Sequence, residues 1–251
     1  MMGEAGHTFL AKLGKTRLRP GGKEATDWLI DKGYFQKDKK VLEVACNMCT
    51  TSIMLAKRYG CEIEAVDLNK KALEKGKQNV LKQDLTHLIH VQQANAMDLP
   101  FDDNSFDIVL NEAMLTMLPV KAKEKALTEY YRVLKPGGIL LTHDIAILAP
   151  EDTTHVQKQL SDAINVKVTP LPVADWTQLY KEAGFKNINS KIGSMSLMTP
   201  SGMIRDEGIL GTMKIMRNAL KKENRPMFIT MFKTMNKLKE RMNYIVFAAR
   251  K

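Results

Sequence analysis

The chain has 251 residues, 44% hydrophobic and 26% charged, which is the composition of an ordinary globular domain. Its three cysteines are an odd count for a disulfide framework, and no apolar segment approaches the ~18 residues that a membrane span requires, so we expect a cytoplasmic protein without such a span. The net charge of +10 is uneven, because residues 201–251 hold 12 basic and 4 acidic side chains, a balance of +8. A basic tail is compatible with nucleic acid, an anionic membrane or an acidic substrate, but we favour a solvated helical face.

Short apolar segments alternate with amphipathic ones from about residue 25, which predicts a series of βαβ units. Strands are predicted at 39–46, 61–69, 88–96, 105–113, 139–148, 186–193 and 243–249. Helical spacing predicts helices at 50–60, 70–83, 123–138, 154–165 and 174–184. The predicted fold is a doubly wound α/β domain over residues 25–251, with a seven-stranded, mostly parallel sheet and an N-terminal arm of residues 1–24.

A segment of about 45 residues separates the last two predicted strands, which is more than a sheet connection needs. It carries two apolar stripes at helical spacing. The first stripe is Ile209, Met213, Met216 and Leu220, and the second is Met227, Met231, Met235, Leu238 and Met242. We interpret residues 198–242 as a helical insertion that is either a packed appendage or a lid over an apolar substrate pocket.

The segment VLEVACNMCT turns from a buried strand, through small residues, into a helix, and Glu43 lies near the end of the strand. Such a turn brings a ligand close to backbone N–H groups at a helix N-terminus. Asp67 ends the second strand, where a carboxylate can accept hydrogen bonds from both hydroxyls of a ribose. The two features together predict a ribose-containing ligand at this edge of the sheet.

These motifs jointly resemble the class I S-adenosylmethionine-dependent methyltransferases, in the small-molecule branch that includes the quinone-biosynthesis and arsenite enzymes. VLEVACNMCT matches the acid-x-Gly-x-Gly-x-Gly loop, EAVDLN the ribose segment, and ANAMDLPFDDNSFDIVL the adenine segment with the fourth strand. RVLKPGGILLTHDI matches the turn into the fifth strand, and WTQLYKEAGF matches a late helix. The resemblance covers about residues 25–190 and the last strand. It implies a Rossmann-like methyltransferase fold, S-adenosylmethionine as cofactor and S-adenosylhomocysteine as product.

The resemblance also implies a set of cofactor-binding residues. Glu43 would organise the loop, Asp67 would bind the ribose hydroxyls, Leu68 would pack on the adenine, and Asn95 would accept a hydrogen bond from the adenine amino group. The full set is Glu43, Ala45, Asn47, Asp67, Leu68, Asn95, Ala96, Met97 and Asn111. For Leu68 and Met97, ordinary core packing is an equal alternative.

One departure from the family pattern concerns the loop, because its three glycine positions hold Ala45, Asn47 and Cys49. Asn47 tolerates a left-handed backbone better than most residues, whereas Cys49 is bulkier than the glycine that normally packs there. Either the loop follows a different path or the cofactor binds less tightly. A degenerate relative that binds S-adenosylmethionine without catalysis therefore stays an alternative.

Catalysis in this family depends mainly on alignment, so a base is needed only if the acceptor must lose a proton. The candidates, all near the ends of the fourth and fifth strands, are His143, Asp144 and Glu112. For His143, the alternative is a structural role in which its ring nitrogens form hydrogen bonds within the protein. Residues that could hold a carboxylate of substrate or cofactor are Arg17, Arg19 and Tyr34. The alternative for the two arginines is a solvated arm, and the alternative for Tyr34 is ordinary packing.

Single features of the sequence are compatible with three competing functions. Cys46 and Cys49 form a C-x-x-C pair, but the chain lacks a second ligand pair with metal spacing, so we predict no metal site. A dinucleotide oxidoreductase would require G-x-G-x-x-G, which is absent from the sequence. The basic tail favours an RNA methyltransferase, but the fourth strand ends Asn111-Glu112-Ala113-Met114 and not in Asn/Asp-Pro-Pro-aromatic. We therefore favour a small-molecule acceptor, apolar or anionic, over nucleic acid.

Overall fold

A computed structural model describes residues 4–251. The strands are β1 Lys40–Val44, β2 Glu62–Asp67, β3 Ile89–Gln93, β4 Phe106–Glu112, β5 Leu134–Ile147, β6 Leu171–Pro172, β7 Lys186–Gly193 and β8 Met242–Arg250. The helices are α1 Gly6–Leu13, α2 Gly22–Gly33, α3 Thr50–Tyr59, α4 Lys70–Lys82, α5 Val120–Val133, α6 Thr153–Ile164, α7 Val173–Glu182, α8 Pro200–Ala219 and α9 Arg225–Leu238. Two short 3₁₀ turns lie at Leu115–Met117 and Pro150–Asp152.

The strands form one twisted sheet in the order β3-β2-β1-β4-β5-β8-β7, and β8 runs antiparallel to its two neighbours. This confirms the predicted seven-stranded, Rossmann-like sheet. The two-residue strand β6, paired with β5, was not predicted. The strand order reverses next to β1, which pairs with both β2 and β4. In open α/β sheets a ligand crevice forms at such a switch point, at the carboxyl ends of the strands.

Helices cover both faces of the sheet, which explains why its central strands are almost continuously apolar. On β5, Leu141 points into a core with α2 and α3, whereas Leu140 packs on the opposite side with Tyr130 and Trp176. All four side chains are essentially fully buried. Burial of a large apolar side chain contributes roughly 1.5–3 kcal/mol, so these two layers hold the strand ends in fixed positions.

Helix α5 is shorter than predicted, because it ends at Val133 and not in the Pro136-Gly137 turn. Proline disfavours helical backbone in the residue before it, and Gly137 adopts a left-handed φ of +76°. The helix therefore stops before this pair, and residues 134–138 already belong to β5.

The N-terminal arm contains two helices that the sequence did not predict, α1 and the start of α2, and it is fastened to α8. The buried Lys15 Nζ lies 3.6 Å from Asp206 Oδ2 and 3.5 Å from Glu207 Oε1. Gly22 has a φ of +57°, and a Cβ there would lie 2.3 Å from Asp206 Oδ2. Glycine at this position thus permits the close approach of the carboxylate to the arm.

Helices α8 and α9 fall within the predicted insertion, and their two apolar stripes have different surroundings. Met231 and Leu238 of the second stripe are buried, whereas Ile209, Met213 and Leu220 of the first stripe are exposed. The division into arm, domain and lid stays a prediction. None of the helices within residues 4–251 has the length and apolar character needed to cross a membrane.

Candidate active site

The loop between β1 and α3 has a left-handed backbone at all three positions where the family has glycine. The φ angles are +60° at Ala45, +50° at Asn47 and +60° at Cys49. This conformation costs non-glycine residues roughly 1–2 kcal/mol each, and less for asparagine. The loop thus keeps the backbone conformation that glycine favours, although none of the three side chains is glycine.

Space for the buried Cys49 side chain comes from the facing helix α4. A Cβ on Gly76 would lie only 2.8 Å from Cys49 Sγ and 3.3 Å from the carbonyl oxygen of Asn47. The missing third glycine of the loop is therefore matched by a glycine on α4.

The C-x-x-C pair lies inside this loop, with the two sulfur atoms 3.9 Å apart. The contact with Cys49, together with burial, raises the pKa of Cys46 far above its ordinary value. Redox exchange and metal binding both need a thiolate, so the environment of this pair opposes both uses. Within the described residues, no group of three or more potential ligands is arranged to hold a metal ion.

Asp67 is held at the carboxyl end of β2 by two backbone donors. Its Oδ2 accepts from the N–H of Asn47 at 3.0 Å, and its Oδ1 accepts from the N–H of Asn69 at 2.8 Å. A carboxylate has about four acceptor sites, so each oxygen keeps a free lone pair for a ligand.

A cavity of about 250 Å³, the main cavity, lies at the carboxyl ends of β1, β2 and β4, beneath the N-terminal arm. The predicted residues on its wall are Glu43, Ala45, Asn47, Asp67, Glu112 and Arg19. Residues on the wall that the sequence did not indicate include His7, Leu18, Met114 and Met117. The structure thus brings the loop, the strand-end acid and the arm together around one space.

Glu43 lies at the base of this cavity and connects β1 to α3, because the Ser52 hydroxyl donates to its carboxylate. Burial raises the pKa of Glu43 to about 7, although the Ser52 hydrogen bond and the charge of Arg19 act in the opposite direction. A carboxyl group in this place fits the predicted role of organising the loop.

Glu112 forms a buried ion pair with Arg19, whose Nη1 lies 2.9 Å from Glu112 Oε1. Burial alone would raise the pKa of Glu112, but the charge of Arg19 and hydrogen bonds from His143 and Thr26 hold it at about 2. A carboxylate with so low a pKa is a poor base at neutral pH, which argues against a catalytic role for Glu112. Arg19 reaches the cavity wall, but its charge is already neutralised.

His143 is fully buried and uses both ring nitrogens within the protein. Its Nδ1 lies 3.2 Å from Glu112 Oε2, and its Nε2 accepts from the N–H of Gly21 at 2.9 Å. Burial lowers the pKa of His143, although the neighbouring Glu112 carboxylate acts to raise it. His143 lies on the wall of neither cavity described here, so the geometry supports the structural alternative, in which this side chain fastens the arm to β5.

Asp144 remains a candidate for chemistry. Its Oδ1 accepts from the N–H of Thr116 at 2.8 Å, but its buried Oδ2 has no protein partner. Burial raises the pKa of Asp144 to about 7, against the effects of Thr116 and the Lys123 ammonium. Asp144 belongs to the wall of a second cavity, of about 90 Å³.

This second space, the apolar cavity, lies next to the main cavity and is walled mainly by aliphatic side chains and methionines. They include Leu10, Ile145, Leu160, Met195, Leu197, Met231 and Met235. The four residues shared by both walls are His7, Leu18, Ala113 and Met117. Of these four, His7 alone carries a titratable side chain. No motif surrounds His7 in the sequence, so only the folded arm reveals its position.

The predicted adenine-contacting residues lie beside Asp67 but outside the wall of the main cavity. Leu68 is exposed, and Asn95 Oδ1 already accepts from the N–H of Met97 at 3.0 Å. These roles, including that of Ala96, stay predictions. Asn111 is fully buried, and its Nδ2 donates to the carbonyl of Val44, so it links β4 to β1 away from the cavity wall.

Two predicted carboxylate-binding residues lie elsewhere. The guanidinium of Arg17 donates to the backbone carbonyl of Asp206 and thereby holds the arm on α8. Tyr34 is exposed at the amino edge of the strands, 5.7 Å from the Arg250 guanidinium. Ligands of parallel sheets bind at the opposite edge, so the position of Tyr34 argues against its holding a carboxylate of substrate or cofactor, and that role stays a prediction.

Comparisons with known proteins agree with this geometry. The family model described as "Methyltransferase domain" matches residues 41–138. An uncharacterized protein of Haemophilus influenzae is 57% identical over 99% of this chain and 98% of its own length. The demethylmenaquinone methyltransferase of Listeria monocytogenes is 40% identical over 111 residues, 43% of this chain and 46% of that enzyme, so the chain spans about half of that relative.

A structural comparison gives the same result for the fold. Phosphoethanolamine N-methyltransferase 2 of Haemonchus contortus, in complex with S-adenosyl-L-methionine, aligns with a TM-score of 0.79 and 18% identity. The alignment covers 97% of this chain and 56% of that protein. At this level of identity the likeness establishes the architecture alone.

Proposed function

We propose that this chain, a member of the class I S-adenosylmethionine-dependent methyltransferases, transfers a methyl group from this cofactor to a small-molecule acceptor held in the apolar cavity. The observation that carries the proposal is the contact between the two cavities, which share the wall formed by His7, Leu18, Ala113 and Met117. A bound cofactor and an acceptor would meet at that wall.

The main cavity has the groups that this cofactor requires. Ala45 and Asn47 of the left-handed loop line the cavity, and the fixed carboxylate of Asp67 has free lone pairs for two ribose hydroxyls. Glu43 supports the loop from below. When bound, S-adenosylmethionine supplies an already activated methyl group, so the chain needs chiefly to align the acceptor and to exclude water.

The apolar cavity indicates what kind of acceptor group would be held. Its wall of leucine, isoleucine and methionine side chains offers few hydrogen-bond partners, and methionine adapts to irregular shapes. An apolar portion of the acceptor would lie among Met195, Met231 and Met235, which gives the second methionine stripe a role in binding.

His7 is placed to accept a proton from the acceptor as the methyl group is transferred. Burial lowers the pKa of His7, although the charge of Asp67 acts to raise it, so the imidazole is neutral at pH 7 and able to act as a base. Other ionisable groups on the two walls are Arg19, Glu43, Cys46, Asp67, Glu112 and Asp144. Among them Asp144 is the second candidate, because its Oδ2 has no protein partner.

Calorimetric titration with S-adenosylhomocysteine tests the cofactor site. We expect binding by the wild type and a loss of at least about tenfold in affinity for Asp67→Asn, because a charged hydrogen-bond acceptor becomes neutral. Asp102→Asn is the matched control, since this exposed acid lies away from the cavity, and it should leave the affinity unchanged. If the wild type does not bind at millimolar concentration, the proposed function is wrong.

Transfer itself is measured with methyl-labelled S-adenosylmethionine and a panel of apolar phenols, hydroquinones, thiols and amines. Labelled product that declines in His7→Gln, with cofactor affinity unchanged, supports the proposed base. Binding without transfer to any acceptor would favour the degenerate alternative. Labelled RNA, together with a salt-dependent gel shift, would favour the RNA alternative.

A further inference from the structure

The outward side of α8 exposes a group of large apolar side chains that nothing in the described chain covers. The exposed fractions are 66% for Ile209, 82% for Leu210, 62% for Met213 and 64% for Leu220. We call these four residues the apolar face. A contiguous group of exposed apolar side chains generally marks an interaction surface, whereas single ones are ordinary.

Helical geometry explains why these residues lie together. At ~100° per residue, positions 209, 213 and 220 project within about 40° of one another, and Leu210 projects about 60° from Met213. Ile215 and Ala219 lie on the buried side of the same helix. The helix is therefore anchored along one side and presents the apolar face along another.

Positive charges lie next to this face. They form a second group, the basic flank, made of Lys214, Arg217, Lys221, Lys222 and Arg225, all of them exposed. On the helix, Lys214 and Arg217 project roughly 80–140° from Ile209. Glu223 is the one acidic residue between positions 208 and 239. The surface thus combines aliphatic side chains with a nearly uniform positive charge.

We propose that α8 docks the protein reversibly on an anionic membrane surface. Aliphatic side chains between lysines and arginines are the composition of a helix that lies in the lipid interface, with its cations near the headgroups. A second copy of the chain fits less well, because two basic flanks would repel each other. Single-stranded RNA also fits less well, because it is held by aromatic stacking, and the apolar face has no aromatic side chain.

The docking surface adjoins, across a kink at Gly208, the part of α8 that contacts the N-terminal arm. Lys15 pairs with Asp206 and Glu207 of α8, and the same arm carries His7 at the junction of the two cavities. A membrane-bound α8 would hold the arm beside the lipid. This places the apolar cavity on a part of the molecule that is fixed to the membrane-docking helix.

Sedimentation with vesicles of phosphatidylglycerol and phosphatidylcholine in equal parts tests the proposal, with pure phosphatidylcholine as reference. We expect binding to the anionic vesicles alone, weakening as NaCl is raised. The double variant Lys214→Gln/Arg217→Gln should bind roughly thirtyfold more weakly, since each cation contributes about a five- to sixfold share. Leu210→Gln/Met213→Gln should bind at least about tenfold more weakly.

Leu81→Gln is the matched control. Leu81 is 67% exposed on α4, which packs on β2 and β3, whereas α8 packs on α1 and α2. Its replacement should not change vesicle binding. Circular dichroism and S-adenosylhomocysteine affinity, both unchanged, would show that the α8 variants are folded. The proposal is overturned if the wild type does not sediment, or if the α8 variants and the control bind equally. It is also overturned if light scattering shows a dimer that Leu210→Gln/Met213→Gln dissociates while vesicles are not bound.

Discussion

The fit between Cys49 and Gly76 leads to a quantitative prediction. In Gly76→Ala the new Cβ would lie 2.8 Å from Cys49 Sγ, about 1 Å closer than ordinary contact. Overpacking of this kind costs about 1–3 kcal/mol, and the better helix propensity of alanine returns about 1 kcal/mol. We expect the free energy of unfolding to fall by up to about 2 kcal/mol, with a loss of cofactor affinity as the loop is displaced.

The companion variant Cys49→Gly removes the obstructing sulfur and places glycine at a φ of +60°. In that background Gly76→Ala no longer meets Sγ and should stabilise α4 by about 1 kcal/mol. The same substitution is therefore destabilising in one background and stabilising in the other. The coupling energy between the two sites should be about 1–3 kcal/mol.

Urea unfolding of the wild type, both single variants and the double variant measures this coupling, and titration with S-adenosylhomocysteine measures the loop. Affinity should fall in Gly76→Ala and recover in the double variant. Additive effects on stability, or an affinity that does not recover, would refute the view that Gly76 makes room for the loop.

Three further predictions concern buried groups. Bound S-adenosylhomocysteine should slow maleimide labelling of Cys46, which lines the main cavity, and should not change the slow labelling of Cys61. Mass spectrometry measures both labelling rates. Asp144 has its pKa raised from 3.8 to about 7, so its ionisation destabilises the fold as pH rises through this interval; Asp144→Asn should reduce the fall in unfolding free energy between pH 5 and 8 by up to roughly 3 kcal/mol. Asp206→Asn removes one of the two carboxylates beside the buried Lys15, together with the charged acceptor for the N–H of Lys23, and should lower the unfolding free energy by about 1.5–3 kcal/mol and expose the arm to limited proteolysis.

The sheet and most helices were predictable because their patterns are local. A strand buried on both faces is apolar along its whole length, and a helix repeats its apolar positions within each turn. The arm was not predictable on the same basis. Its position depends on contacts such as that between Thr16 and Glu207, which lie 191 residues apart. The short strand β6 likewise exists only through its pairing with β5.

The residues of the candidate site likewise differ in whether a local motif identifies them. Asp67 and the loop were found because strand-end motifs have fixed spacing, whereas His7 lies in no motif and reaches the cavity only through the fold of the arm. The position of Tyr34 at the other edge was predictable from the sequence. A residue just before the first strand must lie at the amino edge of a parallel sheet, and ligands bind at the carboxyl edge.

The loop without glycine separates two properties that glycine usually supplies together, backbone conformation and space. The conformation persists, since Ala45, Asn47 and Cys49 all have left-handed φ angles, and the strain of about 1–2 kcal/mol each is small beside the buried core that surrounds the loop. The space comes from Gly76, on a different helix. Loss of the glycine pattern is therefore no argument for loss of the cofactor. Whether the protein catalyses transfer depends instead on the junction between the cavities, where His7 stands between the proposed cofactor and acceptor sites.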